Sequence, residues 1–256
     1  MKDVDVEMRR LGVTYYRYVD DVLMYGSHDA VHQAYKSLKS RLSRRGLSLH
    51  TLGSGKTQIK SLQSPFGYLG YYFASKNITV RDSTIEKFVQ SIAAKFSDFS
   101  HNKSKRLVKF KYLTEERLKD IFLLELNERV TGAVSGARRY GWIAYFNQIN
   151  DLTLLYKLDK VIEGLFVRLH EFDGRVPNNL KKISRAYWEM KFNPMGGYVH
   201  NYDDIKTREQ KLLLLQQRGR VDPEEVLSDA DVDDRYDRYR AHVLRAMHGD
   251  EGGVYG

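Results

Sequence analysis

The sequence contains no cysteine. That excludes a disulfide framework and any zinc site built on thiolates. It contains no run near the ~20 apolar residues a membrane-crossing helix requires. The leucine run at residues 212–215 is only four long. The N-terminus, Met1-Lys2-Asp3-Val4-Asp5, has no apolar secretion-signal centre, and there is no internal repeat. These absences predict a cytoplasmic protein with no membrane association. Acidic residues are the scarcer charge: 33 against 42 basic ones leave a net +9. Residues 222–256 hold ten acids and four arginines, a net −6, so the remainder carries +15. A basic body suits a polyanionic partner. The acidic end reads as a solvated extension or as a shield over a basic surface. At 256 residues the chain can bury one substantial core or two small ones.

What is present is concentrated at residues 13–26, centred on Tyr18-Val19-Asp20-Asp21. Two carboxylates sit between aromatic and β-branched runs. Such runs favour strands, and Asp tolerates the tight turn between them. The pattern predicts a β-hairpin with two aspartates at its tip. Like charges there repel each other. A divalent cation resolves the conflict, and hard oxygen ligands suit Mg²⁺, with Mn²⁺ as a substitute. By average residue usage, Tyr-x-Asp-Asp arises by chance in roughly one of a few tens of chains this long. The apolar flanks therefore carry the argument. Tyr202-Asp203-Asp204 and Asp231-Val232-Asp233-Asp234 lack them, and both read as solvated surface.

Residues 15–26 resemble the palm hairpin of reverse transcriptases. Residues 6–13 are similar to the lead-in to that hairpin in bacterial enzymes of the group II intron and retron kind. Gly46-Leu47-Ser48-Leu49 through Lys56-Thr57 resembles the next palm motif, and Phe66-Gly67-Tyr68-Leu69-Gly70-Tyr71 the primer grip after it. Order and spacing fit over about residues 6–80. The resemblance implies an α+β fold: a partial polymerase palm, an antiparallel sheet with a packed helix, followed by an all-helical thumb-like region. The expected divisions are 1–81 for the palm, 82–195 for the thumb and 196–256 for a charged, partly flexible extension. The implied activity is RNA-directed DNA polymerisation by two metal ions. Asp20 is the first metal ligand and Asp21 the second choice, within the motif Tyr18-Val19-Asp20-Asp21. RNA template, DNA primer and deoxynucleoside triphosphates are the implied partners. Residues 141–151 are similar to the C-terminal part of certain defence-associated bacterial reverse transcriptases, which implies an antiviral role.

Along the rest of the chain, residues 30–45 predict an amphipathic helix under the palm sheet. Val31, Tyr35, Leu38 and Leu42 lie on one face, with a solvated basic face opposite and Gly46 as the cap. Residues 47–50 predict a short strand. Gly55-Lys56-Thr57 imitates the end of a phosphate-binding loop, but that motif needs a glycine where His50 stands, which excludes it. The resemblance instead places Lys56 beside the departing pyrophosphate as a charge or proton donor; a loop lysine in water is the other reading. Residues 66–73 predict a strand pair, mostly core, with a turn at Lys76-Asn77 before a further strand. Residues 82–86 predict a helix start with a capping box. Residues 101–111 hold Lys103, Lys105, Arg106, Lys109 and Lys111 with no acid, the strongest phosphate-binding candidate; a solvated loop is the alternative. Helices are predicted near 113–126, from Arg138, over 151–170, over 180–192 and over 211–217. Arg138 and Arg139 read as phosphate contacts or as helix-end surface.

The family also requires an aspartate on an earlier palm strand and nucleotide-binding fingers. Nothing here matches them. The expectation is the C-terminal portion of such an enzyme: a fragment, a truncated gene, or one piece completed by another polypeptide. A non-catalytic nucleic-acid-binding subunit and an untemplated DNA polymerase are the alternatives.

Overall fold

The two runs that flank Asp20 pair as antiparallel strands, β1 (Thr14–Tyr18) and β2 (Asp21–Tyr25), in register from Thr14↔Tyr25 to Tyr18↔Asp21. The structure, a computed structural model, describes residues 2–252. Side chains alternate along each strand. One hairpin face therefore carries Tyr15, Val22 and Met24, and the other carries Tyr16, Tyr18, Asp21, Leu23 and Tyr25. The first face packs with α1 (Lys2–Arg10) and α2 (His28–Ser43) around Val4, Met8, Ala34, Leu38 and Leu42. Ser27 caps α2 by accepting the Ala30 N–H at 3.3 Å. The basic face of α2 is not wholly solvated as expected: Arg41 pairs with Glu7 at 3.3 Å, and Arg45 pairs with Asp3, both on α1.

Residues 47–50 are irregular rather than a strand. Leu49 packs against the cluster of α1, α2 and the hairpin, while Leu47 is exposed. Four residues with no strand alongside have nothing to pair with. The strand pair at 66–73 is present as β3 (Phe66–Tyr68) and β4 (Tyr71–Ala74), with Phe66 and Phe73 stacked across it at 5.0 Å. β5 (Asn77–Val80) carries the chain from one compact unit, residues 1–77, into a second, residues 78–256.

In the second unit, α3 (Asp82–Lys109), α4 (Glu115–Thr131), α6 (Leu152–Val167) and α7 (Ile183–Phe192) surround an aromatic core. Phe99 and Phe122 stack at 4.5 Å, Phe96 meets Phe166 edge-on at 4.9 Å, and Phe88 stacks on Trp142 at 4.7 Å. The capping box expected at residues 82–86 does not form: the N-cap is Arg81, with no side-chain bond. Asp82 instead places its charge in the first turn, favourable to the helix dipole.

The region is not all helical, as had been expected. β6 (Ala133–Ser135) and β7 (Arg138–Tyr140) form a hairpin, and β8 (His200–Asn201) joins β6 in parallel. Arg138 and Arg139 thus lie on a strand, and helix resumes only at α5 (Trp142–Tyr145). Gly136 and Ala137 turn the chain with φ near +58° at both positions. The Asp203 carboxylate accepts both of their N–H groups, at 2.7 and 2.9 Å. At the other end Gly132 has φ +71°, and a Cβ there would stand 2.3 Å from the Tyr140 carbonyl oxygen. Gly132→Ala is therefore expected to cost about 3 kcal/mol, from a backbone clash added to a strained φ. A thermal melt should show it.

The C-terminal extension is largely helical among the described residues. α8 (Arg208–Gln217) and α9 (Asp229–Gly252) bury Leu214, Leu215, Val232, Tyr236, Tyr239 and Met247 with Tyr202 and Ala133. Apolar positions 232, 236, 239, 243 and 247 make one stripe at helical spacing, thin enough to be masked by the charges around it. Residues 253–256, the end of the extension expected to be partly flexible, lie outside the described residues. Tyr202, read from sequence as solvated, is 1% exposed. No helix among the described residues is long and apolar enough to cross a membrane.

Candidate metal-binding hairpin and basic surfaces

The tip of the first hairpin is a two-residue turn, Val19-Asp20, closed by the pair Tyr18↔Asp21. Val19 is 69% exposed with φ +52°. A β-branched residue in that region is strained and persists only where its surroundings hold it. They do so through Arg17. Its Nη1 donates to the Val19 carbonyl at 2.8 Å, while Nε and Nη2 grip both carboxylate oxygens of Asp5 on α1, each at 2.8 Å. The Tyr15 hydroxyl adds a third donor to Asp5 at 3.0 Å. The turn is thereby tied to α1, and the aspartates are presented from a braced scaffold.

Electrostatics follow from these contacts. Arg17 holds the Asp5 carboxyl below its ordinary 3.8. Burial, helped by Asp5, pushes Tyr15 up to about 12. A depressed folded-state pKa contributes stability above the unfolded value and loses it below. Asp5→Asn is therefore expected to lower stability by about 1 kcal/mol at neutral pH. The gap from wild type should close as pH falls below 3.8, and melts across that range would check it.

Asp20 is exposed, and its side chain makes no hydrogen bond among the described residues. Asp21, half-buried, shares its face with Tyr16, Tyr18 and Tyr25, of which Tyr16 and Tyr25 have ring centroids 6.4 Å apart. The two residues are adjacent in sequence, Asp20 open to solvent and Asp21 half-buried, and both carboxylates are hard donors, which fits part of a Mg²⁺ shell completed by water and phosphate. Among the described residues no group of three or more acids or histidines is placed to hold a metal.

The other predicted residues are distributed elsewhere. Lys56 lies in an exposed loop closed by the Gly53 N–H on the Thr57 carbonyl at 2.8 Å, and has no ion pair among the described residues. Phe66, Gly67 and Tyr68 are in β3, with Leu69 and Gly70 in its turn at φ +49° and +79°. No residue of 50–77 belongs to the apolar cluster that seats the first hairpin. The basic stretch is the end of α3, not a loop, and the helix divides it. Lys103 turns to Glu115 and Glu171, 3.7 Å from each. Lys105 and Lys109, one turn apart, are exposed, Arg106 is half-buried, and Lys111 follows the helix, exposed. Arg138 is exposed on β7, whereas Arg139 donates to the Met190 carbonyl. Sequence reasoning missed Asp5 and Arg17, twelve residues apart with no shared motif. The only hint was a lone Arg inside an aromatic strand.

Compared with known proteins, the chain matches no protein-family model, no curated protein and no solved structure.

Proposed function

We propose that the chain contributes the metal-binding hairpin of an RNA-directed DNA polymerase of the reverse-transcriptase type. The observation that carries this reading is the pair Asp20-Asp21 at the exposed tip of a hairpin braced to a helical platform. A solvated surface has no use for that brace, since folding gains nothing from a strained Val19 beside two like charges.

Asp20 is the group best placed to bind a cation, being exposed and uncommitted. Asp21 sits one position into β2 and supplies the second oxygen donor. Arg17 acts as a positioning residue through the Val19 carbonyl. Asp20 and Asp21 would hold Mg²⁺, which when bound would acidify the attacking hydroxyl and neutralise charge on the leaving phosphates. The reaction joins a primer 3′-oxygen to the α-phosphorus of a deoxynucleoside triphosphate. The α–β anhydride bond breaks, pyrophosphate leaves, and the hydroxyl proton passes to solvent. Two carboxylates do not complete a two-ion site, so a further one must come from another polypeptide segment. That partner would also carry the nucleotide-binding surface. Lys105 and Lys109 on α3 supply cations for the backbone of an RNA template or DNA primer.

Primer extension with Mg²⁺ and deoxynucleotides tests this, using the chain alone and the complex it forms in its native cell. Activity in the complex supports the reading. A silent complex that still binds duplex, with a log-affinity against log-salt slope set by its phosphate contacts, would replace it with a non-catalytic binding subunit.

A further inference from the structure

We infer that the outer face of α7 is a stacking platform for single-stranded nucleic acid, a site separate from the hairpin chemistry and independent of it. Trp188 and Phe192 lie one turn apart on α7, 53% and 64% exposed, with ring centroids 5.7 Å apart. The opposite side of the helix already serves the core through Ile183, Ala186, Tyr187 and Met190. Two large aromatics left adjacent in water on an otherwise well-packed helix gain nothing for folding. Their planes are inclined at 48°. The rings are tilted rather than stacked face to face, and both residues are more than half exposed.

Basic residues outnumber acids in the segment that carries the pair, although Lys182 also meets Glu163 at 3.6 Å and Lys191 donates to the Tyr187 hydroxyl at 2.7 Å. Residues 181–195 hold Lys181, Lys182, Arg185 and Lys191 against a single acid, Glu189. Glu189 is buried and engaged by Arg185 at 3.2 Å and Asn193 at 2.8 Å. Arg185 and Lys191 stand three residues before and after Trp188, so both flank it on the same side of the helix. Arg139 reaches the far end of α7 at the Met190 carbonyl. Aromatic faces between cations fit unpaired bases and the phosphates that join them. Paired bases, already stacked, offer no such face. The aromatic pair is also too small an apolar area for a stable protein interface.

The chain carries its own reporter. Of its two tryptophans, Trp142 is 1% exposed and Trp188 is open. The test titrates the full chain with a short oligothymidylate at low salt. It follows tryptophan emission, and separately the anisotropy of a labelled oligonucleotide. The expected result is quenching, with affinity falling as salt rises. Phe192→Ala should weaken binding about tenfold. Trp188→Phe should keep most of the binding and lose the quench. Binding without quenching would overturn the proposal. So would undiminished binding by Trp188→Ala/Phe192→Ala when that variant melts as wild type does. Quenching by phosphatidylserine vesicles but not by the oligonucleotide would overturn it in favour of a lipid surface.

Discussion

Asp20→Asn should abolish Mg²⁺-dependent primer extension by the completed enzyme, by on the order of a thousandfold, while leaving the melting temperature unchanged. The two halves of that expectation have separate causes. Asn keeps the shape of Asp but halves its oxygen donors and removes its charge. A metal contribution of several kcal/mol to a transition state corresponds to about three decades in rate. Stability is spared because Asp20 is exposed in a turn, with no side-chain hydrogen bond among the described residues to lose. Removing its charge also relieves repulsion with Asp21. A variant that melts early would point to a structural role for the carboxylate. A fully active variant would sink the assignment of the hairpin as a metal site, whatever the chain binds.

Glu128→Gln should produce the reverse pattern in the second unit: a large loss of stability without any direct effect on the hairpin. Glu128 accepts from Arg218 Nη2 at 3.0 Å, with the two side chains 3% and 6% exposed. Its other oxygen accepts the Tyr202 hydroxyl at 2.5 Å. Burial raises the Tyr202 pKa, so the phenol remains a donor at every physiological pH, and burial lowers that of His200 beside it. With Gln in place the guanidinium stays buried without its counter-charge. Breaking such a pair from one side costs about 3–5 kcal/mol. For a chain of this size that is a fall of roughly 10 °C in melting temperature. Tyr202→Phe removes only one donor to the carboxylate and should cost about 2 kcal/mol. Equal melts for Glu128→Gln and wild type would mean that the ion pair does not tie α4 to the segment after α8.

The same residues show where local reading succeeds and fails. Leu118, Ile121, Phe122 and Leu126 mark α4 by period alone, and all four are buried. Val232, Tyr236, Tyr239 and Met247 carry the same kind of signal, but ten acids in residues 222–256 obscured it. Arg138 looked like a helix start because Trp142 and Ile143 follow it. The Ser135-Gly136 turn signal was the stronger local cue, and its consequence became visible only with Asp203, 67 residues away, capping the turn.

The sequence by itself determined the hairpin around Asp20 and Asp21, and most of the helices. Apolar period and turn chemistry are local properties, written within a few residues of the structure they produce. Only the tertiary structure decided where the charges went. Lys103 lost its place among the phosphate candidates to Glu115 and Glu171, Arg41 and Arg45 were drawn to α1, and Glu128 found Arg218 ninety residues later. A charge buried or freed in this way depends on elements distant in sequence that packing brings alongside. No window of neighbouring residues contains that information.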